Sequence, residues 1–585
     1  MQRETNYWKR LSRRRFLAGA GVATVGSAAL LAGCGDDNNS SNTPSGGGGA
    51  TAPSGSTSTP SGSGGGPKTN VPTPPQIQLA PDLDAIYSGT PVSGGTLQFV
   101  SGTPDQYDPA RDAGYPGLQV AAPCLSSLVR ARFPILGDLS VKGDLATKWE
   151  QPDEGTTLTF TLRDNAKWQN VKPTNGRKLV ADDIKQYLNY IRTPQPDYVL
   201  GPMFDMVEKV DTPDDNTVVL TTSFPYSSLL TNLADVWAKI IPKEQFDGDL
   251  AKAKPVGSGP FIFDSFTNGV EYKLKKNPDY YVQGKPYLDG VNFHVFDPTN
   301  PNLAPAAYRA NQIDIGGAAT KPLSLALIKD KPDSNWGWRY GVLNPCMLNN
   351  SDGVFKDERV RQAMMYAIDY DSIIKITWQN YGRLGQQVGL WYTPYLLPES
   401  DLPTRDVAKA KQLLDAAGQS NLKTSDKTFQ GGQLAFGTLQ VQASVKDAGI
   451  NMDVVQQQWA NWRVNVYGIK GDFDVTMGGE FDFLSVDRQL WNSYHSKGAA
   501  NNRHVKDADL DKMLDDSRKI FDTNQYATKI KEITKYITDH AINIALPNGT
   551  NPTGTQPWVK GWFFDASAGA LLEENFFEDI WIAKH

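Results

Sequence analysis

The chain has 585 residues, of which 58 are basic, 64 acidic and 39% hydrophobic, giving a net charge of −6. That composition suits a soluble folded body, and its acidity argues against nucleic acid as a partner. The length exceeds what one hydrophobic core supports, so two or three domains are expected.

The first element is a targeting segment. Ser12-Arg13-Arg14-Arg15-Phe16-Leu17 is a twin-arginine signal, and it runs into a small-residue apolar stretch from Leu17 to Leu31. The stretch closes on Leu31-Ala32-Gly33-Cys34, a lipobox. A cationic head, a short apolar core and a small-residue cut site mark a processed signal and not part of the fold. Residues 1–33 are therefore read as a signal peptide, with Cys34 the lipidated first residue of the mature chain. The signal holds six basic residues and one acidic, so the mature chain carries −11. Residues 34–91 are a linker, rich in Gly, Ser, Thr and Pro, that cannot build a core. Its coil reach lifts the body roughly 30–40 Å from the bilayer. No later stretch of about 18 apolar residues exists, so the body is expected outside the cytoplasmic membrane, held to the cell membrane by lipid.

Within the body, strands are predicted at Gly95–Val100, Leu158–Leu162, Thr217–Thr221, Tyr272–Lys275 and Gly290–Phe296, each alternating apolar and polar positions. Helical periodicity appears at Asp182–Ile191, Asp357–Ile376, Thr404–Ala417 and Ala508–Ile537. In the second of these, Arg359 and Arg361 are expected opposite the apolar side. Val256-Gly257-Ser258-Gly259-Pro260 has the look of a phosphate loop but lacks the Lys-Ser/Thr that follows one. A turn into the strand beginning Phe261-Ile262-Phe263 is the better reading. Mixed strands and helices joined by Gly/Pro turns indicate an α/β body of several lobes, and no repeat period is visible.

Catalytic hardware is sparse. Five histidines form no H-E-x-x-H pair, and there is no C-x-x-C, G-x-S-x-G or P-loop. The pairs Asp182-Asp183 and Asp515-Asp516 are adjacent in helices, where neighbours face different ways. Cys124 and Cys346 could pair in an oxidising compartment, although two buried thiols fit better. A glycosidase with two carboxylates far apart in sequence stays open without support. A chain this long with so little chemistry reads as a binding protein that needs no cofactor and no resident metal.

Seven blocks then fall in a recognisable order. They are Gly94-Gly95-Thr96-Leu97 with Tyr107-Asp108-Pro109; Phe160 to Trp168; Gly257-Ser258-Gly259-Pro260-Phe261; Asn277-Pro278-Asp279-Tyr280 with Lys285-Pro286-Tyr287-Leu288-Asp289-Gly290-Val291; Phe355 to Asp369; Leu413 to Gly418; and Gly471-Asp472-Phe473-Asp474. Together they resemble extracellular solute-binding protein family 5, the oligopeptide-, dipeptide- and nickel-binding receptors of ABC importers. The resemblance implies a class II periplasmic-binding-protein-like α/β fold: two lobes joined by a hinge, plus an extra lobe. Lobe I would be 92–133, 256–345 and 547–585, the extra lobe 134–255, and the second ligand lobe (lobe III) 346–546.

The resemblance also implies a site. Gly478-Gly479-Glu480-Phe481-Asp482-Phe483 is similar to the segment whose aspartate receives a peptide's α-amino group, a position taken here by Asp482, flanked by Phe481 and Phe483. Gly479 stands where a tryptophan is common, which would widen the pocket. Gly114 and Tyr115 would offer main-chain pairing at the cleft edge. Asn349 and Asn350 would face the cleft, with Trp391, Tyr392, Trp491 and Tyr494 as candidate pocket walls. Two departures from the family stand out. Val180 replaces a hydroxyl cap, a role for which Asp182 would substitute. The strand usual between Gly418 and Gly449 would shrink to about Gln433–Phe436. The function implied is a monomeric receptor that binds peptides and delivers them to ABC permease and ATPase subunits. An oligosaccharide, opine or metal chelate is the alternative ligand, and a secreted hydrolase the more distant one.

Overall fold

Alternation in the sequence becomes one-sided burial in the fold. Strand Thr96–Ser101 turns Leu97, Phe99 and Ser101 inward, strand Thr157–Leu162 buries Leu158, Phe160 and Leu162, and strand Thr217–Thr222 buries Val218, Leu220 and Thr222. The structure is a computed structural model that describes residues 89–104, 106–111, 114–131, 141–193, 201–246, 254–297, 300–318, 321–430, 437–468, 470–480, 483–562 and 577–583. The signal segment, Cys34 and nearly all of the linker lie outside them.

Three sheets organise the body. The largest has eight strands and runs, in spatial order, Asn335–Tyr340, Asn548–Thr555, Ile315–Gly316, Thr96–Ser101, Gly290–Val295, Glu271–Lys276 and Phe261–Thr267, with Gly382–Arg383 pairing off Asn548–Thr555. Its centre is parallel, Thr96–Ser101 beside Gly290–Val295 in register Phe99 to Phe293. A four-stranded antiparallel sheet is built entirely from residues 146–222. The third has five strands in the order Ile450–Gln457, Leu422–Phe429, Val475–Met477, Pro345–Leu348 and Asn543–Ala545.

Two short segments that carry the chain between the large and five-stranded sheets, 341–344 and 546–547, are tied together. Gly341 donates to the Gly549 carbonyl (2.8 Å), Leu546 to that of Asn344 (2.9 Å), and the Asn548 amide spans the carbonyls of Gly341 and Val342, both at 2.8 Å.

Packing joins what the sheets divide. One core takes Phe99 and Phe293 from the large sheet and Phe160 and Leu220 from the four-stranded one. The same core includes Leu484 and, from helices lying in sequence between the last two strands of the five-stranded sheet, Leu490, Tyr494, Ile530 and Ile533. A separate core, with Cys346, Val360, Met364, Leu414, Ile450 and Val475, belongs to the five-stranded sheet and its covering helices. Cys124 and Cys346 are both buried free thiols.

Several local expectations are corrected. The helix expected over 357–376 is two, Glu358–Ala367 and Tyr370–Ile376, because the Asp369 carboxylate accepts the Ser372 amide and starts a new helix. Likewise 508–537 is Ala508–Ser517 and Thr523–Asp539, restarted where Asp522 accepts the amides of Asn524 and Gln525. Arg361 is buried and not on a solvated face; it donates to the carbonyls of Phe355, Lys356 and His540. No side chain among the described residues replaces the missing hydroxyl cap; Asp183 makes the reciprocal contact, accepting the Val180 amide at 3.1 Å. Between Gly418 and Gly449 the described strand is Leu422–Phe429, and the position expected for a shortened strand, Gln433–Phe436, lies outside the described residues. Gly257 and Gly259 do form a turn into strand Phe261–Thr267. A Cβ on either would meet the Cys124–Leu125 backbone within 2.7 Å, so the close approach requires glycine.

Candidate functional site

Strand Val475–Met477 leads into Gly478-Gly479-Glu480, and the chain resumes at Phe483 and Leu484 before helix Val486–Tyr494. Both flanks are fixed by distant parts of the molecule. On the near side the Glu480 amide donates to Leu343 (2.9 Å), a bridge onto the first inter-sheet crossing. On the far side the Leu484 amide donates to Asp235 Oδ2 (3.0 Å), in the segment following helix Leu229–Ala234. Phe481 and Asp482, between these anchors in sequence, lie outside the described residues.

Glu480 is held by a buried cation. Arg503, wholly buried, sends Nη2 to Glu480 Oε2 (2.9 Å) and Nη1 to Oε1 (3.3 Å), while Ser493 Oγ donates to the same Oε1 at 3.2 Å. Arg503 Nε continues to Asn543 Oδ1 (3.1 Å), and Asn543 Nδ2 to Gln387 Oε1 (2.9 Å). Burial works against the Arg503 charge, but Glu480 more than offsets it and its pKa rises. A satisfied buried network of this kind fixes a unique backbone path.

The far anchor is also ionic. Asp235 Oδ1 accepts the Trp237 amide (3.0 Å), and Arg488 Nη1 stands 3.4 Å from Oδ2. The Arg488 guanidinium lies 3.8 Å from the centre of the Phe483 ring, with Nε and Nη1 making no hydrogen bond. Burial lowers its pKa to about 10, with Asp235 offsetting part of the cost. Beside it Asp487 accepts from Tyr226 OH (2.7 Å) and from Ser485 Oγ. Residues 226–237 are thereby bound to 484–488.

The remaining expected residues are placed as follows. Gly479 and Phe483 are half-buried within this segment. Gly114 and Tyr115 form the first turn of helix Gly114–Ala121, so in place of an extended edge they present only helix N-terminal amides. Asn349 and Asn350 brace backbone. Asn349 accepts the amides of Ser351 and Asp352, and Asn350 donates to the carbonyls of Leu348, Arg503 and Ile542. Trp391, Tyr392, Trp491 and Tyr494 are between 0 and 8% exposed and belong to the shared core. Trp491 stacks on His495 and donates to Asp515. The functional pairs that sequence reasoning missed are Glu480–Arg503 and Asp235–Leu484. No local pattern marked the first pair, because Asp482 stands two residues from Glu480 and Lys506 and Asp507 close after Arg503. Among the described residues no cluster of His, Cys, Asp and Glu suits a metal ion, and no helix is long and apolar enough to cross a membrane.

The chain is similar to known proteins. Residues 140–501 match the model of the bacterial extracellular solute-binding proteins, family 5. The chain is 26% identical over 441 residues to the oligopeptide-binding protein AppA of Bacillus subtilis, covering 68% of this chain and 77% of AppA. It is 27% identical to di/tripeptide-binding protein 2 of Pseudomonas aeruginosa, covering 61% and 70%. Among solved structures, AppA of Bacillus subtilis with a nonapeptide superposes with a TM-score of 0.73 at 22% identity, covering 85% of this chain and all of that one. AgaA of A. tumefaciens R10 with agropinic acid gives 0.73 at 24%, covering 84% and 99%.

Proposed function

The chain belongs to the bacterial extracellular solute-binding proteins of family 5, and on that premise we propose that it receives peptides between its lobes and delivers them to an ABC permease and its ATPase subunits. The observation that carries the proposal is the double anchoring of the 478–484 segment, to the inter-sheet crossing at Leu343 and to Asp235. A carboxylate carried between fixed points, at Asp482, suits capture of a peptide's α-ammonium in a dry cleft, where a charge-assisted hydrogen bond is strongest. The peptide-binding relatives AppA and di/tripeptide-binding protein 2 support the same ligand class. We assign lobe I to 92–133, 256–345 and 547–585, the extra lobe to 134–255 and the second ligand lobe to 346–546. Closure of the two ligand lobes would let a permease tell loaded from empty. Lipid on Cys34 would keep the body at the membrane. The reading assigns the protein no catalysis. The resemblance to AgaA favours an opine as the second ligand class.

The test starts from peptides released from the purified protein and identified by mass spectrometry. One such peptide and its N-acetylated form are titrated against wild type and Asp482→Ala. Loss of the ammonium or of the carboxylate is expected to weaken binding about 10–100-fold, the worth of one charge-assisted hydrogen bond. Equal affinities for all combinations would refute the role of Asp482, and absence of any bound peptide would shift the assignment to the opine class.

A further inference from the structure

A cavity of about 550 Å³ lies between extra-lobe residues 227–231 and the start of helix Thr523–Asp539, closed at one side by Tyr395 and Ser485. Its volume falls within the range of small-molecule sites, roughly 300–1,000 Å³. None of its residues comes from the strands of the large sheet, while Ser485 and Val486 in its wall directly follow Leu484.

Its chemistry is unusual for this acidic chain. All thirteen lining residues are uncharged. Burying an ion against this wall without a counter-charge would be costly, which disfavours peptides with free termini and other charged solutes. The carboxylates next to lining residues are already engaged: Asp487 by Tyr226, Ser485 and Arg518, and Asp522 by the amides of Asn524 and Gln525. A purely apolar guest is equally disfavoured, because the wall is rich in hydroxyls. The side chains of Thr231, Tyr395, Thr523 and Asn524 have no hydrogen-bond partner among the described residues, and covering them with hydrocarbon would strand donors and acceptors. Between these polar groups stand aromatic faces, with Tyr395 and Tyr526 edge to face at 5.6 Å and Phe521 beside them. Neutral donors and acceptors interleaved with rings match a molecule that has hydroxyls around its rim and C–H faces.

We propose that this cavity binds an uncharged mono- or disaccharide, held by Thr231, Tyr395, Thr523 and Asn524 and packed against Tyr526. The guest touches the extra lobe on one wall and the helices after the ligand segment on the other, so it fastens the two together.

Glucose, maltose and trehalose are titrated in turn into the full-length protein by isothermal titration calorimetry. At least one is expected to bind saturably. Thr231→Trp and Asn524→Trp, which fill the cavity from opposite walls, should each weaken it tenfold or more. Asn524 is exposed, so its substitution leaves the fold intact even if Thr231→Trp does not. Three outcomes overturn the proposal: no binding by any of the three sugars, binding undiminished in both variants, or a sugar that lowers affinity for a bound peptide and so occupies the peptide's place. Sugar binding in a protein that takes no peptide would refute the peptide reading alone.

Discussion

Asp426 lies on strand Leu422–Phe429, fully buried, where Oδ1 accepts the Met477 amide at 3.1 Å and Oδ2 has no partner. Met477 directly precedes the ligand segment. Burial pushes the Asp426 carboxyl up to about 7, the Met477 amide offsetting part of the effect, and the titratable group facing it is the buried Cys346 thiol. The folded state therefore holds a proton that the unfolded chain releases near its ordinary 3.8. Stability contributed by this group is present below about pH 4 and is lost as the pH climbs to about 7. The gap corresponds to roughly 4 kcal/mol. Asp426→Asn keeps an acceptor for Met477 and removes the titration. Its urea midpoint should change much less than that of wild type between pH 4.5 and pH 8. Parallel curves for the two proteins would mean that Asp426 titrates normally.

The backbone after strand Val475–Met477 is set by how Gly478 meets Trp462. A Cβ at Gly478 would stand 2.8 Å from Trp462 Cζ2. The indole cannot yield, because Nε1 is fixed to the Lys427 carbonyl (3.0 Å) and Thr476 Oγ1 (3.1 Å). Gly478→Ala should cost about 1–3 kcal/mol by overpacking and shift the segment, lowering ligand affinity together with the unfolding midpoint. An unchanged affinity would show that the contact relaxes without moving the segment. Elements such as Thr96–Ser101 and Thr157–Leu162 were legible in the sequence because one face of each is buried, and burial writes a period of two. The breaks at Asp369 and Asp522 were not legible. Apolar periodicity continues across both, and a single capping carboxylate decides where the helix restarts.

Across the whole molecule, the candidate site depends on contacts that no local pattern encodes. Asp235 and Leu484 are 249 residues apart, yet their hydrogen bond holds one end of the ligand segment. Trp391, Tyr392, Trp491 and Tyr494 belong to a core shared between the 134–255 segment and the later helices. The order of the family blocks carried the fold, and the positions of the anchors required coordinates. Asp235→Ala removes the acceptor for Leu484 and the counter-charge of buried Arg488. It should destabilise by about 3–5 kcal/mol and weaken ligand binding. Asp235→Asn, which keeps an acceptor, should fall between the two in both measurements. If the alanine variant unfolds at the wild-type urea concentration, the two anchors are not energetically joined.

The large sheet also constrains biosynthesis. Its centre pairs Thr96–Ser101, near the beginning of the chain, with Ile315–Gly316, which is bordered in turn by Asn548–Thr555 near the end. Glu578 then reaches back to buried Arg130. A ribosome must release almost the entire polypeptide before that sheet can close, so hundreds of residues wait with open strand edges. Closure of this one sheet is accordingly a post-synthetic event, whereas the sheet from residues 146–222 can close early.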